Sequence, residues 1–411
     1  MKGHCDIYLP RMAESRLLEI LSGGKIGIVL GARQVGKTTL VEHVTAGRKT
    51  LFLNFDVETD RLRFLAAAKL APEHVEASFG QPEVLVLDEA QRLPEAARIV
   101  KGWYDVHVPL RIILLGSSSL QLLTQATESL TGRNAKLRLP PLLFRESLHA
   151  QSWYQESTER TVLLGTFAGP LRSVLMERLA YGSYPEVVTA SAREPLLREL
   201  AADYLWKDIL QLGLVKSPDD IKRLLMLLAH QAGNEVSTNE LATQLGMARA
   251  TVDRYIDILE QCFVIFRLPA FSTNPRKEIA KSKKIYFWDT GIRNAVLGAF
   301  STSELRPDIG SLWENWVVAE VAKRNHLGGS PCELFFWRSR TASEVDLVIR
   351  CGERLAAFEI KWRQQAVSNR AFRNAYDVTP ELLCARDPFL NPVDSILDAH
   401  MPELMQCGEE A

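Results

Sequence analysis

Residues 25 to 30, KIGIVL, followed at once by GARQVGKT, leave this chain few folds to choose from. The first run is apolar and follows Gly23 and Gly24, the pattern of a short strand buried on both faces inside a parallel sheet. The second fits G-x-x-x-x-G-K-[ST], with Gly31, Gly36, Lys37 and Thr38 in register, and TTLVEHV continues it as a helix. Strand, glycine loop and helix N-terminus together form an anion cradle. The glycines let the backbone around Ala32, Arg33, Gln34 and Val35 curl until its amides point inward, and the helix opening at Lys37, Thr38 and Thr39 adds partial positive charge. The expected ligand is ATP with Mg2+: Lys37 to neutralise the β and γ phosphates, Thr38 to put its hydroxyl on the ion.

A second apolar run, EVLVLDE at 83 to 89, ends in two carboxylates about fifty residues after the loop. Asp88 is expected to hold Mg2+ through water, and Glu89 to polarise the attacking water as general base. The paired acids favour water over a small-molecule acceptor, and so a hydrolase over a kinase. RIILLG at 111 to 116 reads as a third strand, followed by Ser117, Ser118 and Ser119. Ser117 either presents a polar group between water and γ-phosphate or caps the next helix. LFLNFD at 51 to 56 supplies another strand. Strands alternating with helices define an α/β fold, a doubly wound parallel P-loop sheet with ATP at the carboxyl ends of its strands.

GARQVGKTTL, VLVLDEAQRLP, ILLGSSS and SLTGRNAKLRLPPLLFRES resemble the AAA-superfamily ATPases of bacteria and archaea that carry an uncharacterised C-terminal domain, and the resemblance runs through most of the chain. It implies an ATPase domain over 1–145 and a helical lid or connecting region over 146–215, where SYPEVV and DYLWKDILQLG carry no legible chemistry. It also makes Arg133, in Gly132-Arg133, either a γ-phosphate sensor or an arginine finger acting in trans, which would require a homo-oligomer. The alternative is an arginine paired with a surface carboxylate.

Residues 216–290 read as a winged helix-turn-helix: DDIKRLLMLLAHQAG, NELATQLG and MARATVDRYIDILEQC as three helices, then FVIFRLPAF opening a hairpin. In a DNA reader Arg249, Thr251 and Arg254 of the third helix would face the duplex; otherwise the module serves packing or protein docking. PRKEIAKSKK at 275 to 284 either touches phosphate or is a solvated loop.

Residues 291–411 hold a second constellation. After the helix LWENWVVAEVAKR come strands ELFFWRS, SEVDLVIR and LAAFEIKW, and Asp346, Glu359 and Lys361 fall in the pattern D-x12-E-x-K. This resembles the PD-(D/E)xK nuclease superfamily, although Val345 stands where that superfamily often has proline. Two carboxylates and a lysine so arranged can hold a divalent metal and activate water against a phosphodiester. Glu314 or Glu320 is the expected helical acid, or neither takes part. The module is an α/β nuclease-like domain, active or serving as a scaffold.

Composition narrows the rest. With 49 basic and 50 acidic residues the chain has no global attraction to nucleic acid, so any DNA contact must come from local patches. Six scattered cysteines lack metal-ligand spacing and are expected as buried free thiols. No apolar run reaches membrane-spanning length and no signal core opens the chain, which points to the cytoplasm. Three functions remain: an ATPase whose nucleotide state drives conformational change or assembly on DNA or a protein partner, an ATP-gated metal-dependent nuclease, and a nucleotide-dependent interaction module with little turnover.

Overall fold

The computed structural model describes residues 8–116, 130–211, 217–272, 283–328, 332–339, 343–367 and 369–398. They fall into two compact units, divided after Pro140. The first ends five residues before the expected boundary at 145, and the three expected modules that follow all lie in the second.

The first unit runs α1 (Ala13–Ser22), β1 (Ile26–Leu30), α2 (Lys37–Val44), β2 (Thr50–Asn54), α3 (Glu58–Ala67), α4 (Pro72–Ser78), β3 (Val84–Asp88), α5 (Ala96–Asp105), β4 (Arg111–Gly116) and β5 (Asn134–Arg138). The four strands anticipated from apolar runs form. β5, with the mixed sequence NAKLR, is an addition, because an edge strand half-open to water needs no continuous apolar run. The sheet is parallel throughout in the order β2-β3-β4-β1-β5. β1 is buried along its whole length, paired on one edge with β4 and on the other with β5. The chain therefore leaves β1 at the carboxyl edge of the sheet, beside the ends of β3 and β4.

The second unit opens with α6 (Phe144–Leu148), α7 (Arg160–Gly165), α8 (Ala168–Tyr181), α9 (Pro185–Thr189) and α10 (Arg193–Gln211). Next come α11 (Pro218–His230), β6 (Glu235–Val236), α12 (Thr238–Leu245), α13 (Arg249–Gln261), β7 (Ile265–Pro269) and β8 (Lys283–Phe287), whose strands make an antiparallel sheet in the order β6-β8-β7. Ser217 and Ser237 accept from Asp220 N and Glu240 N, capping α11 and α12. The unit ends with α14 (Thr290–Leu297), α15 (Ile309–Leu327), β9 (Glu333–Arg338), β10 (Glu344–Cys351), β11 (Arg354–Lys361), α16 (Arg370–Tyr376), β12 (Glu381–Cys384) and α17 (Asn391–Asp398), with sheet order β12-β11-β10-β9.

That four-stranded sheet is covered on both faces. Trp313, Trp316, Phe336, Leu347, Phe358 and Ile360 belong to the main core, and Phe335, Trp337, Val348, Ala357 and Phe372 to a smaller one opposite. Val345 and Val348 both face the smaller core, although strict alternation would separate them. A register shift between them resets the alternation, and Asp346 sits within it. Cys332 and Cys351, expected as free thiols, are joined in a disulfide across the β9–β10 pair; Cys262 and Cys384 are buried thiols outside any disulfide, while Cys5 and Cys407 lie outside the described residues.

The middle of the chain is welded to its end by a clasp between α8 and α14. Asp289 caps α14 through Ile292 N and also accepts from Ser183 N at 2.7 Å. Thr290 and Asn294 donate to the carbonyls of Arg178, Leu179 and Ala180, the groups a helix C-terminus leaves unpaired. The backbones meet so closely that a Cβ on Gly291 would stand 2.2 Å from the Tyr181 carbonyl oxygen. Among the described residues no helix is long and apolar enough to cross a membrane.

Gly291→Ala should therefore lower the stability of the second unit by about 1–3 kcal/mol or more. Gly310→Ala, whose Cβ meets nothing within 4 Å, should be neutral or stabilising by up to about 1 kcal/mol. Urea unfolding followed by tryptophan fluorescence reads this unit, because seven of the eight tryptophans follow residue 140; equal midpoints for the two variants would refute the clasp.

Candidate functional sites

The phosphate loop is shaped by backbone constraints that glycine alone meets. A Cβ on Gly31 would lie 2.2 Å from the Leu139 carbonyl oxygen, so the loop can pass β5 only without a side chain there. Gly36 opens α2 in the left-handed region at φ 90°, and Gln34 shares that region at φ 59°. Ala32 and Val35 bury their side chains. Lys37 curls back over the loop and donates to the carbonyls of Gly31 and Ala32 at 2.9 and 2.8 Å. Its ammonium is thus tied to the loop that the motif assigns to phosphate. Arg33 is half-buried, and Gln34 in the loop and Thr39 in the first turn of α2 are exposed.

Thr38 and Asp88, fifty residues apart, meet: Thr38 Oγ1 donates to Asp88 Oδ2 at 2.9 Å. Asp88 Oδ1 accepts the Glu89 amide at 2.8 Å. Glu89 itself leaves the strand at φ 51° and accepts from Gln91 Nε2, so its carboxylate is set apart from Asp88 by a backbone turn. A hydroxyl and a carboxylate oxygen are hard donors of the kind Mg2+ takes, so this pair fits the ion. Gly116, the last residue of β4, pairs with Leu30 at the same edge of the sheet; Ser117, next in sequence, lies outside the described residues.

Arg133 lies at the far end. Its carbonyl accepts the amide of Ile26, the first residue of β1, whereas the loop begins after Leu30, about 16 Å further along at the usual strand rise. Its Nε donates to Asp105 Oδ1 at 2.5 Å and its Nη1 to the Thr131 carbonyl. The sensor role within the same chain is thereby corrected, because neighbours in a strand cannot cross its length; a role in trans does not depend on that distance. Sequence reading passed over Arg11, which is buried and ties the loop down by donating to the Val35 carbonyl at 2.8 Å and to the Pro140 carbonyl at 2.7 Å. A lone arginine before the first helix carries no motif that would have exposed it.

In the second unit, Asp346 Oδ2 accepts from Ile360 N at 2.8 Å and from Lys361 Nζ at 2.9 Å. Glu359 and Lys361 share one face of β11, opposite Ile360 in the main core. Glu359 is held above its ordinary carboxylate pKa by partial burial, with the neighbouring Asp346 charge adding and Lys361 opposing. Of the two helical acids, Glu314 joins this cluster. It accepts from Tyr286 OH at 2.7 Å and Lys284 Nζ at 3.0 Å, and burial, reinforced by Asp346, raises its pKa. Glu320 is committed elsewhere: it accepts the Phe144 amide at 2.7 Å and pairs with Lys323 at 2.9 Å. About one and two-thirds helix turns separate the two, enough to point them at different neighbours. Among the described residues no three acidic, histidine or cysteine side chains are grouped as metal ligands. The carboxylates are instead bridged by ammonium groups, Lys361 on Asp346 and Lys284 on Glu314 and Glu344.

Lys284 corrects the reading of the basic run. It is 3% exposed and turned inward, so it is neither a phosphate contact nor solvated; Lys283 is exposed, and 275 to 282 lie outside the described residues. On α13, Arg249 and Arg254 are exposed and Thr251 half-buried, but Asp253 lies 3.5 Å from Arg249 and Asp257 and Glu260 share the helix, so its charge is not basic.

A five-stranded parallel sheet with a glycine loop at its carboxyl edge, its lysine on the loop and its threonine on the acid that ends β3 defines a P-loop ATPase fold of the AAA type. Residues 23–148 match a family model described as an AAA domain, while 172–303 and 309–391 match two domains of unknown function, DUF8612 and DUF4143. The chain belongs to the family of the uncharacterized protein Rv2008c of Mycobacterium tuberculosis, with which it is 30% identical over 378 residues, 90% of this chain and 78% of that one. It is 28% identical to the uncharacterized protein MJ1544 of Methanocaldococcus jannaschii over 82% of this chain and 74% of that one. A similar solved structure is the Walker-type ATPase PABY2304 of Pyrococcus abyssi, at a TM-score of 0.50 and 17% identity over 72% of this chain and 98% of that one.

Lys284→Met should destabilise the second unit by about 3–5 kcal/mol at neutral pH, because Glu314 and Glu344 lose their buried counter-cation. The deficit should shrink as pH falls. A carboxyl whose folded pKa is raised takes up its proton in the fold before the unfolded chain does, so acid favours the folded state. Urea midpoints at neutral and mildly acidic pH check this, and a deficit that grows in acid would contradict it.

Proposed function

We propose that the chain is a Mg2+-dependent ATPase whose nucleotide state drives conformational change or assembly on DNA or on a protein partner. The observation that carries this reading is the Thr38–Asp88 hydrogen bond, which brings the two expected metal-binding oxygens together across fifty residues of sequence. Held by Thr38 and Asp88, Mg2+ would neutralise phosphate charge as the terminal bond breaks. The chain's own groups account for the rest. Backbone amides of 31–36 and the α2 N-terminus bind phosphate oxygens, Lys37 neutralises the β and γ phosphates, and Glu89 Oε accepts a proton from the attacking water. Ser117 would orient that water, and Arg133 would act on a neighbouring copy, which calls for a homo-oligomer. The helix–strand–helix–helix–strand–strand order of 218–287 supports a winged-helix reading. With acids interleaved among Arg249 and Arg254, it favours a protein partner over sequence-specific DNA for that helix.

A second reading rests on a separate observation, the convergence of Asp346, Glu359, Lys361 and Glu314 from two strands and a helix. It is a nuclease-like centre gated by ATP, in which Lys361 stabilises developing charge and a divalent ion would have to displace the ammonium groups now paired with the acids.

Lys37→Ala should abolish ATP turnover, and Glu89→Gln should lower kcat by about 100-fold or more while ATP still binds. Steady-state and single-turnover hydrolysis decide it, and a Glu89→Gln variant as fast as the parent removes Glu89 as base. Measuring ATPase and cleavage together with duplex, single-stranded DNA and RNA separates the two readings: Asp346→Ala should abolish any cleavage and leave ATP hydrolysis unchanged.

A further inference from the structure

Apart from both sites, the second unit holds a cleft of about 660 Å3. That size lies within the range of about 300–1,000 Å3 usual for small-molecule sites. One wall is aliphatic, built by Leu164 of α7 and Ala168, Leu171 and Leu175 of α8. The cleft is also lined by a cation–aromatic platform, the Arg172 guanidinium over the Trp362 ring at 4.3 Å, with Trp362 packed edgewise on Trp313. Arg172 is held in place: Nε and Nη2 donate to both oxygens of Glu304 at 2.7 and 2.8 Å, and Nη1 donates to the Ala385 carbonyl at 2.8 Å.

The charges in the cleft do not cancel. Its lining holds three guanidiniums and one carboxylate, and that carboxylate is already spent on Arg172. Arg363 and Arg386 are exposed at the rim, leaving two forked donors over a half-apolar slot. Guanidinium forks match phosphate oxygens, and a planar cation backed by an indole is the kind of surface on which a base stacks. A bare anion would use the rim and leave platform and wall unused; an apolar ring alone would leave the rim unused.

We propose that this cleft binds a nucleotide, free or within a single strand, its base packed against the Arg172–Trp362 platform and the aliphatic wall and its phosphate held by Arg363 and Arg386. The site is independent of the phosphate loop, which belongs to the other unit, and of Asp346 and Lys361. Lys361 is on the face of β11 opposite Ile360, whereas Trp362 packs against the core that contains Ile360.

The test uses the full chain carrying Lys37→Ala, in chelator, which weakens the loop and removes metal-dependent cleavage, and the Arg363/Arg386 variant is made in the same background so that any residual loop binding is common to both. A fluorescent oligothymidylate and a fluorescent AMP are each titrated by anisotropy, with inorganic phosphate as competitor. Binding of at least one probe is expected, weakened about tenfold or more by Arg363→Ala/Arg386→Ala, two exposed changes that leave the Arg172 network intact. Phosphate should displace the probe far less well than unlabelled AMP or oligothymidylate does. Binding of the oligomer alone assigns the site to a strand, and of AMP alone to a free nucleotide. The proposal is overturned if neither probe binds at about 1 mM, if the double variant binds as the parent does, or if phosphate competes as well as the nucleotide.

Discussion

The first unit depends on β1, a strand with no free edge and no free face. Buried on both sides and paired with β4 and β5, it fixes where the chain must emerge and hence where the phosphate loop can lie. The loop inherits its shape from that exit. Gly31 passes the Leu139 carbonyl at a distance no side chain allows, and Arg11 ties the turn at Val35 to the end of the unit at Pro140. Position comes from the sheet, local curvature from the glycines, and the meeting of Thr38 with Asp88 from the pairing of β1 and β3 on either side of β4.

In the second unit, buried charges do the comparable work. Lys284, Lys323, Glu320 and Asp289 are all buried, and each has a specific partner. An ion taken from water is tolerated inside a protein only when paired, and misplacing one partner leaves a buried charge alone. Such pairs penalise alternative packings. Lys284 ties β8 to α15 and β10, and Asp289 ties α14 to the segment after α8, so the described residues of the second unit pack as one body.

Several of these features were legible in residues alone because their cause is local. A run of apolar residues closed by a glycine loop, or by two acids, is dictated by the chemistry of consecutive positions, and β1, β3 and β4 appear where such runs stand. β5 was missed because an edge strand needs only half an apolar pattern. Glu314 and Glu320, both on α15, could not be ranked, since helical periodicity says which residues share a face and not what lies opposite. The same holds for the cysteines: Cys332 and Cys351 meet because β9 and β10 pair antiparallel, and sequence spacing carries no sign of that.

Taken by itself, the sequence determined the phosphate loop, the strand that feeds it and the acids that end a second apolar strand, since each is a property of adjacent residues whose backbone and charge act within a few ångströms. Only the tertiary structure decided which distant groups meet. It brought Thr38 to Asp88, set Arg133 at the far end of the sheet, turned Lys284 inward and gathered Arg172, Trp362, Arg363 and Arg386 around one cleft. These are contacts between elements, set by strand order and packing, and no short-range preference of the chain encodes them.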